Sequence, residues 1–198
     1  MKTSLYTPLK FKAHSITGWL NLELMQQAFA RVKANKGAAG VDKISIREFK
    51  FKLNSRLKGI IKDIADRNYQ PSPLRRSYVP KPNGKKRPLG IPTIRDRLAQ
   101  EALKRLLEPL FEPLFHDDSF GFRPGRSCHQ ALDRIIEYKK LGYHYVVDAD
   151  IVGCFDNISF KVIMQALSAV IADGNILTTA STLLKCRIYR KRYIQRCG

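Results

Sequence analysis

The sequence of 198 residues predicts a fold of mixed helices and strands, because helical, hairpin and strand signals all occur along it. Apolar residues recur at helical spacing over residues 16–35 and again over residues 49–64. A stretch rich in proline and glycine then separates two short strand-like runs near residue 84. A further strand is predicted at residues 143–149 (YHYVVDA), which are rich in aromatic and β-branched side chains.

Four predicted helices begin at hydroxyl side chains suited to capping a helix N-terminus. These capping residues are Ser45, Thr93, Ser127 and Ser159. Glu or Gln stands three residues after Ser45 and Ser127, which completes two capping boxes. We expect the helix after Thr93 to run to about Leu114, with Pro109 and Pro113 breaking or kinking its last turns. The helix after Ser127 should end near Gly142.

A β-hairpin is predicted at about residues 74–91. Leu74–Pro80 forms its first strand, residues 82–85 form the turn, and residues 87–91 form the return strand. Prolines at positions 80, 82, 88 and 92 cannot donate to a sheet ladder, so the hairpin should lie at a sheet edge. Residues 185–198 differ from the rest: they contain six basic residues, no acidic residue and no clear helical or strand period.

The composition predicts a folded protein with a polyanionic partner. Thirty-six Lys and Arg against 17 Asp and Glu give a formal net charge of +19. Hydrophobic residues make up 44%, which excludes a disordered basic tail. No apolar run approaches the roughly 18 residues that a membrane span needs, so we expect no membrane partner. The four cysteines lack C-x-x-C spacing, and we interpret them as reduced thiols of a cytoplasmic protein.

Positive charge is concentrated around the predicted hairpin. Between positions 71 and 97 the only acid is Asp96. The cations of this stretch are Arg75, Arg76, Lys81, Lys85, Lys86, Arg87, Arg95 and Arg97. An extended ribbon with this charge can lie along a phosphate backbone or hold a triphosphate. The alternative is a solvated charged face, which is the usual meaning of a charge run.

Asp150 lies just beyond the predicted strand at residues 143–149. A lone carboxylate there usually caps the following turn. Asp148 and Asp156 are close in sequence, however, and Asp148 leaves the same strand face as Asp150 if the strand continues. Such a face can hold a hard, oxygen-liking cation such as Mg²⁺. Asp156 has a second interpretation, as a cap of the helix that follows.

Four blocks in order resemble the reverse transcriptases encoded by group II introns, also called intron maturases. The blocks are RVKANKGAAGVDKISIREF, VPKPNGKKRPLGIPTIRDRLAQEAL, EPLFEPLFHDDSFGFRPGRSCHQAL and YVVDADIVGCFDNI. The resemblance covers about residues 21–173 without a large gap. It implies an α+β fold. The fingers of a right-hand polymerase would span residues 1–142, the first part of an incomplete RRM-like palm residues 143–184, and a basic tail residues 185–198.

The same resemblance implies a function and its partners. The family activity is RNA-directed DNA synthesis, coupled to intron RNA binding, splicing and retrohoming. The implied partners are intron RNA, an RNA template with a DNA primer, and deoxynucleoside triphosphates. The implied cofactor is Mg²⁺, with two ions in the complete enzyme, where they stabilise the attacking 3′ oxygen and the leaving pyrophosphate.

Individual residues match the motifs of this family. Asp150 matches the first catalytic, metal-binding aspartate, and the Ile151 carbonyl matches a secondary metal ligand. Lys81 and Arg87 match residues that grip the incoming triphosphate, and Phe155 matches the aromatic residue under its sugar. The resemblance also gives candidates for contacts to the nucleic-acid backbone: Arg75, Arg76, Lys85, Lys86, Arg95, Arg123 and Arg126.

The sequence departs from the family pattern in one large respect. It contains no later YxDD motif, whose two aspartates complete the metal site. We therefore expect a truncated or clipped enzyme that is inactive alone and prone to self-association. A further possibility is a split enzyme, in which another polypeptide supplies the C-terminal half. The alternative is a non-catalytic RNA-binding protein that uses the same basic surface. Salt-dependent RNA binding fits both hypotheses, whereas loss of Mg²⁺-dependent primer extension on Asp150→Ala fits only the enzyme.

Overall fold

A computed structural model gives the structure of residues 12–80, 84, 86–190 and 193–196. The helices are α1 (Leu22–Ala34), α2 (Ile46–Lys50), α3 (Leu53–Ala65), α4 (Ile94–Phe111), α5 (Cys128–Lys140), α6 (Cys154–Asn157), α7 (Phe160–Val170) and α8 (Gly174–Leu184). The strands are β1 (Leu74–Pro80), β2 (Lys86–Ile91), β3 (Arg187–Arg190) and β4 (Tyr193–Arg196). Helices and one small sheet together confirm the predicted mixture of helix and strand.

The predicted N-terminal helix over residues 16–35 is two elements. Residues Ile16–Trp19 form a 3₁₀ turn, and α1 begins only after Asn21. The Asn21 side chain accepts a hydrogen bond of 2.9 Å from the Leu24 amide, so it caps a new helix. A short polar side chain that competes for backbone amides in this way ends one element and starts the next.

The apolar stripe over residues 49–64 is also divided between two helices. The capping box at Ser45 is confirmed, since Ser45 and Glu48 exchange both hydrogen bonds at the start of α2. The backbone leaves helical geometry at Lys52, and Phe51 is left exposed. Leu57 and Ile64 in α3 are nevertheless fully buried, so the stripe keeps its packing role.

Helix α4 is the central element of the apolar core. It packs against α1 and α8, and its residues Leu98, Ala99 and Ala102 have no exposed surface. Thr93 caps α4 as predicted, by accepting from the Asp96 amide. Pro109 lies in its last turn, and a 3₁₀ turn over Glu112–Leu114 follows, which confirms the predicted break.

The later helices begin where the sequence predicts. Ser127 and Gln130 form the second capping box at the start of α5, and Ser159 caps α7. Helix α5 ends at Lys140, and Gly142 adopts φ of 94°, close to the predicted end. Unlike α4, α5 has no buried residue. No helix of the described chain is both long enough and apolar enough to span a membrane.

The predicted strand at residues 143–149 is wrong for this structure. Residues 143–150 form neither helix nor strand, and no described strand pairs with them. Tyr145 and Val147 are almost fully exposed. Aromatic and β-branched residues favour strands because they pack against a neighbouring strand, and that preference has no effect where no partner is present.

The sheet has the order β2-β1-β3-β4. Strand β1 has the predicted bounds, β2 begins one residue earlier than predicted, and the two pair antiparallel. β2 is an edge strand, whereas β1 also pairs with β3 through its first two residues. The tail at residues 185–198, which shows no clear sequence period, therefore contains two strands. They form because β3 pairs with β1 and β4 pairs with β3, which supplies their hydrogen bonds. Of the predicted turn, residue 84 alone is described, and Gly84 adopts φ of 74°.

Hydrogen bonds join the 3₁₀ turn at Ile16–Trp19 to the start of α8. The Asp173 carboxylate accepts from the Thr17 amide at 2.7 Å and from the Thr17 hydroxyl at 2.8 Å, and it also caps α8. Burial alone would raise the pKa of Asp173, but the Thr17 hydrogen bonds lower it below its usual value. Ala13 extends this link by pairing with Ile171.

The base of the hairpin is held by the buried carboxylate of Asp96, which is 1% exposed. It accepts from the Tyr69 hydroxyl at 2.6 Å, the Thr93 hydroxyl at 2.6 Å and the Ser72 amide at 3.1 Å. Burial raises the pKa of Tyr69 well above its usual value and the Asp96 charge raises it further, so the phenol stays protonated and donates. Three donors from both sides of the hairpin therefore meet at one acceptor.

Replacing Asp96 should destabilise the fold more than replacing an exposed carboxylate. Asp96→Ala leaves three donors without their acceptor, and we expect the free energy of unfolding to fall by at least about 3 kcal/mol. Asp96→Asn, which keeps one acceptor oxygen, should cost less. Urea denaturation followed by circular dichroism measures both, with Asp133→Ala on the exposed face of α5 as a control expected within about 0.5 kcal/mol of wild type. Equal midpoints for Asp96→Ala and Asp133→Ala would contradict the role given to Asp96.

Candidate nucleic-acid interface and carboxylate site

The exposed cations of the hairpin lie at its outer end. Lys86 pairs with Pro80 and Arg87 pairs with Val79, and all four residues are exposed. The candidates Lys81 and Lys85 lie outside the described residues. The outer end of the hairpin is thus the part of the ribbon where described cations face solvent.

Two arginines at the base of the hairpin contact the loop between α1 and α2 instead of solvent. Arg75 donates from Nε to the Ala39 carbonyl at 2.9 Å, and Arg97 donates to the Ala38 carbonyl. Burial lowers the pKa of Arg97 and the nearby Arg75 lowers it further, against the opposing effect of Asp42. The loop fits closely here, since a Cβ on Gly40 would lie 2.6 Å from the Thr93 backbone.

Arg95 is held by the helical core. Its guanidinium pairs with Asp63 at 2.7 Å and donates to the Gln70 carbonyl at 3.0 Å. It also lies 4.4 Å from the centre of the Tyr69 ring. These contacts give Arg95 a structural role in fixing the chain that leads into β1. Its predicted contact with nucleic acid stays a prediction.

Arg123 and Arg126 organise the loop between α4 and α5. Arg123, with a side chain only 7% exposed, pairs with Glu112 at 2.9 Å and donates to the His116 and Ser119 carbonyls. Arg126 donates to the Asp117 carbonyl at 3.1 Å. Glu112 was not predicted from the sequence as the partner of Arg123. The contacts of both arginines with nucleic acid likewise stay a prediction.

A second ion-paired group joins this loop to α5. The Asp118 carboxylate accepts from Arg134 at 2.8 Å and from the Tyr138 hydroxyl at 2.9 Å. The hydrogen bond from Arg134 is the main cause that lowers the pKa of Asp118, and the bond from Tyr138 adds to it. Asp118 therefore holds the middle and last turns of α5 against the loop and is committed to protein partners.

Asp150 lies in an exposed segment that carries no regular structure. Asp148, Asp150 and the following Ile151 are all exposed. Five residues after Asp150, Phe155 stands in the short helix α6, with 81% of its surface exposed. Asn157 fixes this turn by donating from Nδ2 to the Val152 carbonyl at 3.0 Å and the Gly153 carbonyl at 3.1 Å.

The described residues do not gather a multi-carboxylate metal site. No group of three or more His, Cys, Asp or Glu side chains in the described chain is placed to hold a metal ion. Asp148 and Asp150 offer hard oxygen ligands, but the strand expected to align them is absent. A site for two Mg²⁺ ions does not fit these residues, because one or two exposed carboxylates cannot offset the mutual repulsion of two dications.

Helix α5 carries an apolar face that the described structure leaves uncovered. Leu132, Ile135 and Ile136 are each at least half exposed. The exposed apolar segment with Tyr145 and Val147 follows directly along the chain. Contiguous exposed apolar surface of this kind marks an interaction site or favours self-association.

Comparisons with known proteins place these features in context. Residues 79–197 match the family model described as "Reverse transcriptase (RNA-dependent DNA polymerase)". Group II intron-encoded protein LtrA of Lactococcus lactis subsp. cremoris is 41% identical over 155 residues, which are 78% of this chain and 26% of that protein. Protein YkfC of Escherichia coli (strain K12) is 35% identical over 162 residues, or 79% of this chain and 42% of that protein. The chain thus spans less than half the length of either relative.

A solved structure titled "Partial Cas6-RT-Cas1--Cas2 complex" shares the fold. Its chain superposes with a TM-score of 0.57 and 20% sequence identity, over 90% of this chain and 29% of that chain. At this identity the similarity concerns the fold alone.

The apolar face of α5 should make the isolated chain self-associate. We expect sedimentation velocity to show a mass that rises with protein concentration, because association removes apolar surface from water. The double variant Leu132→Asn with Ile135→Asn should shift the distribution towards monomer. Phe51→Asn removes an exposed ring from another part of the surface and is the matched control. A strictly monomeric wild-type chain at high concentration would contradict this expectation.

Proposed function

Because this chain belongs to the reverse transcriptase (RNA-dependent DNA polymerase) family, we propose that it acts as the fingers and first palm segment of a group II intron-type enzyme. The family resemblance predicted from the four sequence blocks is confirmed by the family match and by the intron-encoded relatives. The activity proposed for the complete enzyme is RNA-directed DNA synthesis from deoxynucleoside triphosphates, with intron RNA and a primed RNA template as partners. The RRM-like form of the palm belongs to this proposal.

The observation that carries the proposal is the exposed basic end of the hairpin. Lys86 and Arg87 face solvent on an edge strand, in a chain with a formal charge of +19. We assign the triphosphate to Arg87 and Lys81, and the RNA backbone to Arg76, Lys85 and Lys86. In these roles the cations neutralise phosphates and release counterions, which drives sequence-independent binding.

Four further candidates are proposed to position the interface. Their guanidiniums donate hydrogen bonds to protein oxygen atoms, as described above, and any contact with nucleic acid would be made in addition to those bonds. These residues are Arg75, Arg95, Arg123 and Arg126. Arg75 bonds to an uncharged carbonyl and so adds to the local positive potential, whereas the carboxylates paired with Arg95, Arg123 and Arg126 offset much of theirs.

The chemical step is assigned to the segment that contains Asp150. We propose that the Asp150 carboxylate and the Ile151 carbonyl are metal ligands and that the Phe155 ring lies under the sugar of the nucleotide. Their support is sequence position and accessibility: all three residues are exposed and lie within six positions of one another. Mg²⁺ supplies charge stabilisation when it is bound, and Asp150 by itself suits one weakly held ion.

The second candidate function is RNA binding without DNA synthesis. It is favoured by the separation between the hairpin, which is structured, and the Asp150 segment, where no described group of ligands surrounds the carboxylate. The proposed RNA surface is the same in both cases. The two functions therefore differ only in whether Asp150 matters.

Removing the outer cations should weaken RNA binding and its salt dependence together. For the double variant Lys86→Ala with Arg87→Ala, we expect the slope of log K against log salt to flatten by about 0.7 to 0.9 for each phosphate that is no longer neutralised. Fluorescence anisotropy with labelled single-stranded RNA measures this slope. Lys58→Ala with Lys62→Ala removes the same charge from the exposed side of α3 and should leave the slope close to wild type. Equal slopes for the two double variants would contradict the hairpin assignment.

Asp150→Ala distinguishes the enzyme from the RNA-binding protein. In both cases RNA affinity should stay within about twofold of wild type, because the carboxylate lies outside the basic surface. If the chain is active, extension of a labelled DNA primer on an RNA template with Mg²⁺ should be lost in the variant. Because the chain is expected to be inactive alone, the assay is repeated with an added polypeptide that carries the YxDD aspartate pair, and absence of extension even then, with RNA binding intact, would support the second candidate function. Extension that survives in Asp150→Ala would contradict the catalytic assignment.

A further inference from the structure

The two faces of the hairpin differ in chemistry. Side chains alternate along a strand, so Arg76 and Tyr78 leave one face of β1, which we call the Tyr78 face. The register places Gly90 opposite Arg76, Pro88 opposite Tyr78 and Lys86 opposite Pro80, all on that face. The other face bears Val79 opposite Arg87 and Ser77 opposite Leu89, so its exposed apolar side chains are aliphatic.

Tyr78 is accessible at the centre of the Tyr78 face. It is 56% exposed, and the register places Pro88 directly opposite it on the neighbouring strand. No ring or cation of the described chain stacks on Tyr78, in contrast to Tyr69 and Tyr138, which lie under arginines. An aromatic side chain with a free π-face among cations is the arrangement that binds unpaired nucleobases.

Cations flank Tyr78 along and across the hairpin. Lys86 is diagonal to Tyr78 across the strand pair and is exposed. Arg76 precedes Tyr78 on the same face, and its buried Nε finds no acceptor within the described part of the chain. Arg76 thus differs from Arg75, Arg95 and Arg123, whose guanidiniums donate to protein oxygens, because its Nε has no such acceptor among the described residues.

We propose that the Tyr78 face binds single-stranded RNA, with one unpaired base stacked on Tyr78 beside Pro88 and the adjoining phosphates at Arg76 and Lys86. This inference rests on the proposed function and adds the substrate form and a residue with no role so far. Double-stranded RNA does not fit, because its bases are stacked inside the helix and present no free π-face. Arg87 points to the opposite face, so the hairpin separates the RNA strand from the triphosphate.

The test compares RNA with a ligand that has the same phosphates but no bases. The full chain is titrated into a labelled single-stranded RNA of about 12 nucleotides, within the usual range of single-strand site sizes, and into an abasic oligomer of equal length, with anisotropy as the readout. Tyr78→Ala should lower RNA affinity about five- to a hundred-fold, the range for loss of one stacked base, and leave abasic affinity unchanged. Tyr78→Phe keeps the ring and should bind as wild type.

Two further variants separate stacking from structural effects. Tyr78→Leu keeps apolar bulk without a π-face and should behave like Tyr78→Ala. Val79→Ala removes an exposed side chain from the opposite face of the same strand and should change neither affinity. Circular dichroism of every variant should match wild type, because Tyr78 lies outside the apolar core.

The outcomes distinguish this inference from the function on which it rests. If Tyr78→Ala binds RNA as wild type does, while Lys86→Ala with Arg87→Ala weakens binding, only the stacking proposal is overturned. Equal losses for RNA and the abasic oligomer also overturn it, since the ring would then act through the phosphate contacts. A wild-type chain that binds no RNA overturns both proposals.

Discussion

The buried carboxylate of Asp96 fixes both ends of the hairpin at one point. It accepts one hydrogen bond from the amide of Ser72, which lies two residues before β1. It accepts another from the hydroxyl of Thr93, which lies two residues after β2. Asp96 is itself in the first turn of α4, where a negative charge is stabilised by the helix dipole. The hairpin therefore leaves the helical core in a direction set largely by one acceptor, and the pairing of β1 with β3 and the bond from Arg75 to the Ala39 carbonyl add support at its base.

Distance from this anchor separates most of the hairpin cations into two groups, and Arg76, whose Nε has no acceptor among the described residues, is the exception. Near the base of the hairpin, Arg75, Arg95 and Arg97 lie beside carbonyls and carboxylates of the core and are bound by them. A partly buried guanidinium without such partners would lose hydration at a large cost, so these sites require internal acceptors. Lys86 and Arg87, at the other end, keep their hydration and remain available. The net charge alone therefore overestimates the number of cations that are free to contact nucleic acid.

The parts of the fold that the sequence predicted are those fixed by local contacts. Ser45 and Ser127 reach amides three residues away, and the hairpin is set by prolines and a glycine within a few positions. Residues 143–149 have equally strong strand composition, yet a strand depends on a distant partner that composition does not specify. The pairing of the nearly covered Arg123 side chain with Glu112 is a similar case, because the charge pattern alone favours a solvent-facing arginine. The role proposed for Tyr78 depends on its pairing register with Pro88, which no sequence motif specifies.

RNA binding and metal chemistry depend on different physical conditions in this chain. The hairpin needs exposure, since counterion release and base stacking both take place at a surface open to a long polymer. Asp150 needs burial, because a carboxylate exposed to water binds a cation only weakly. The attraction between carboxylate and cation becomes stronger as water is excluded. Tyr145, Val146 and Val147 lie beside Asp150 with their side chains in solvent. Covering these apolar residues with another strand would lower the local dielectric around Asp150 and align it with Asp148. Under the proposed function, the hairpin would therefore bind RNA in its present conformation, whereas Asp150 would hold a metal ion only when that segment is packed.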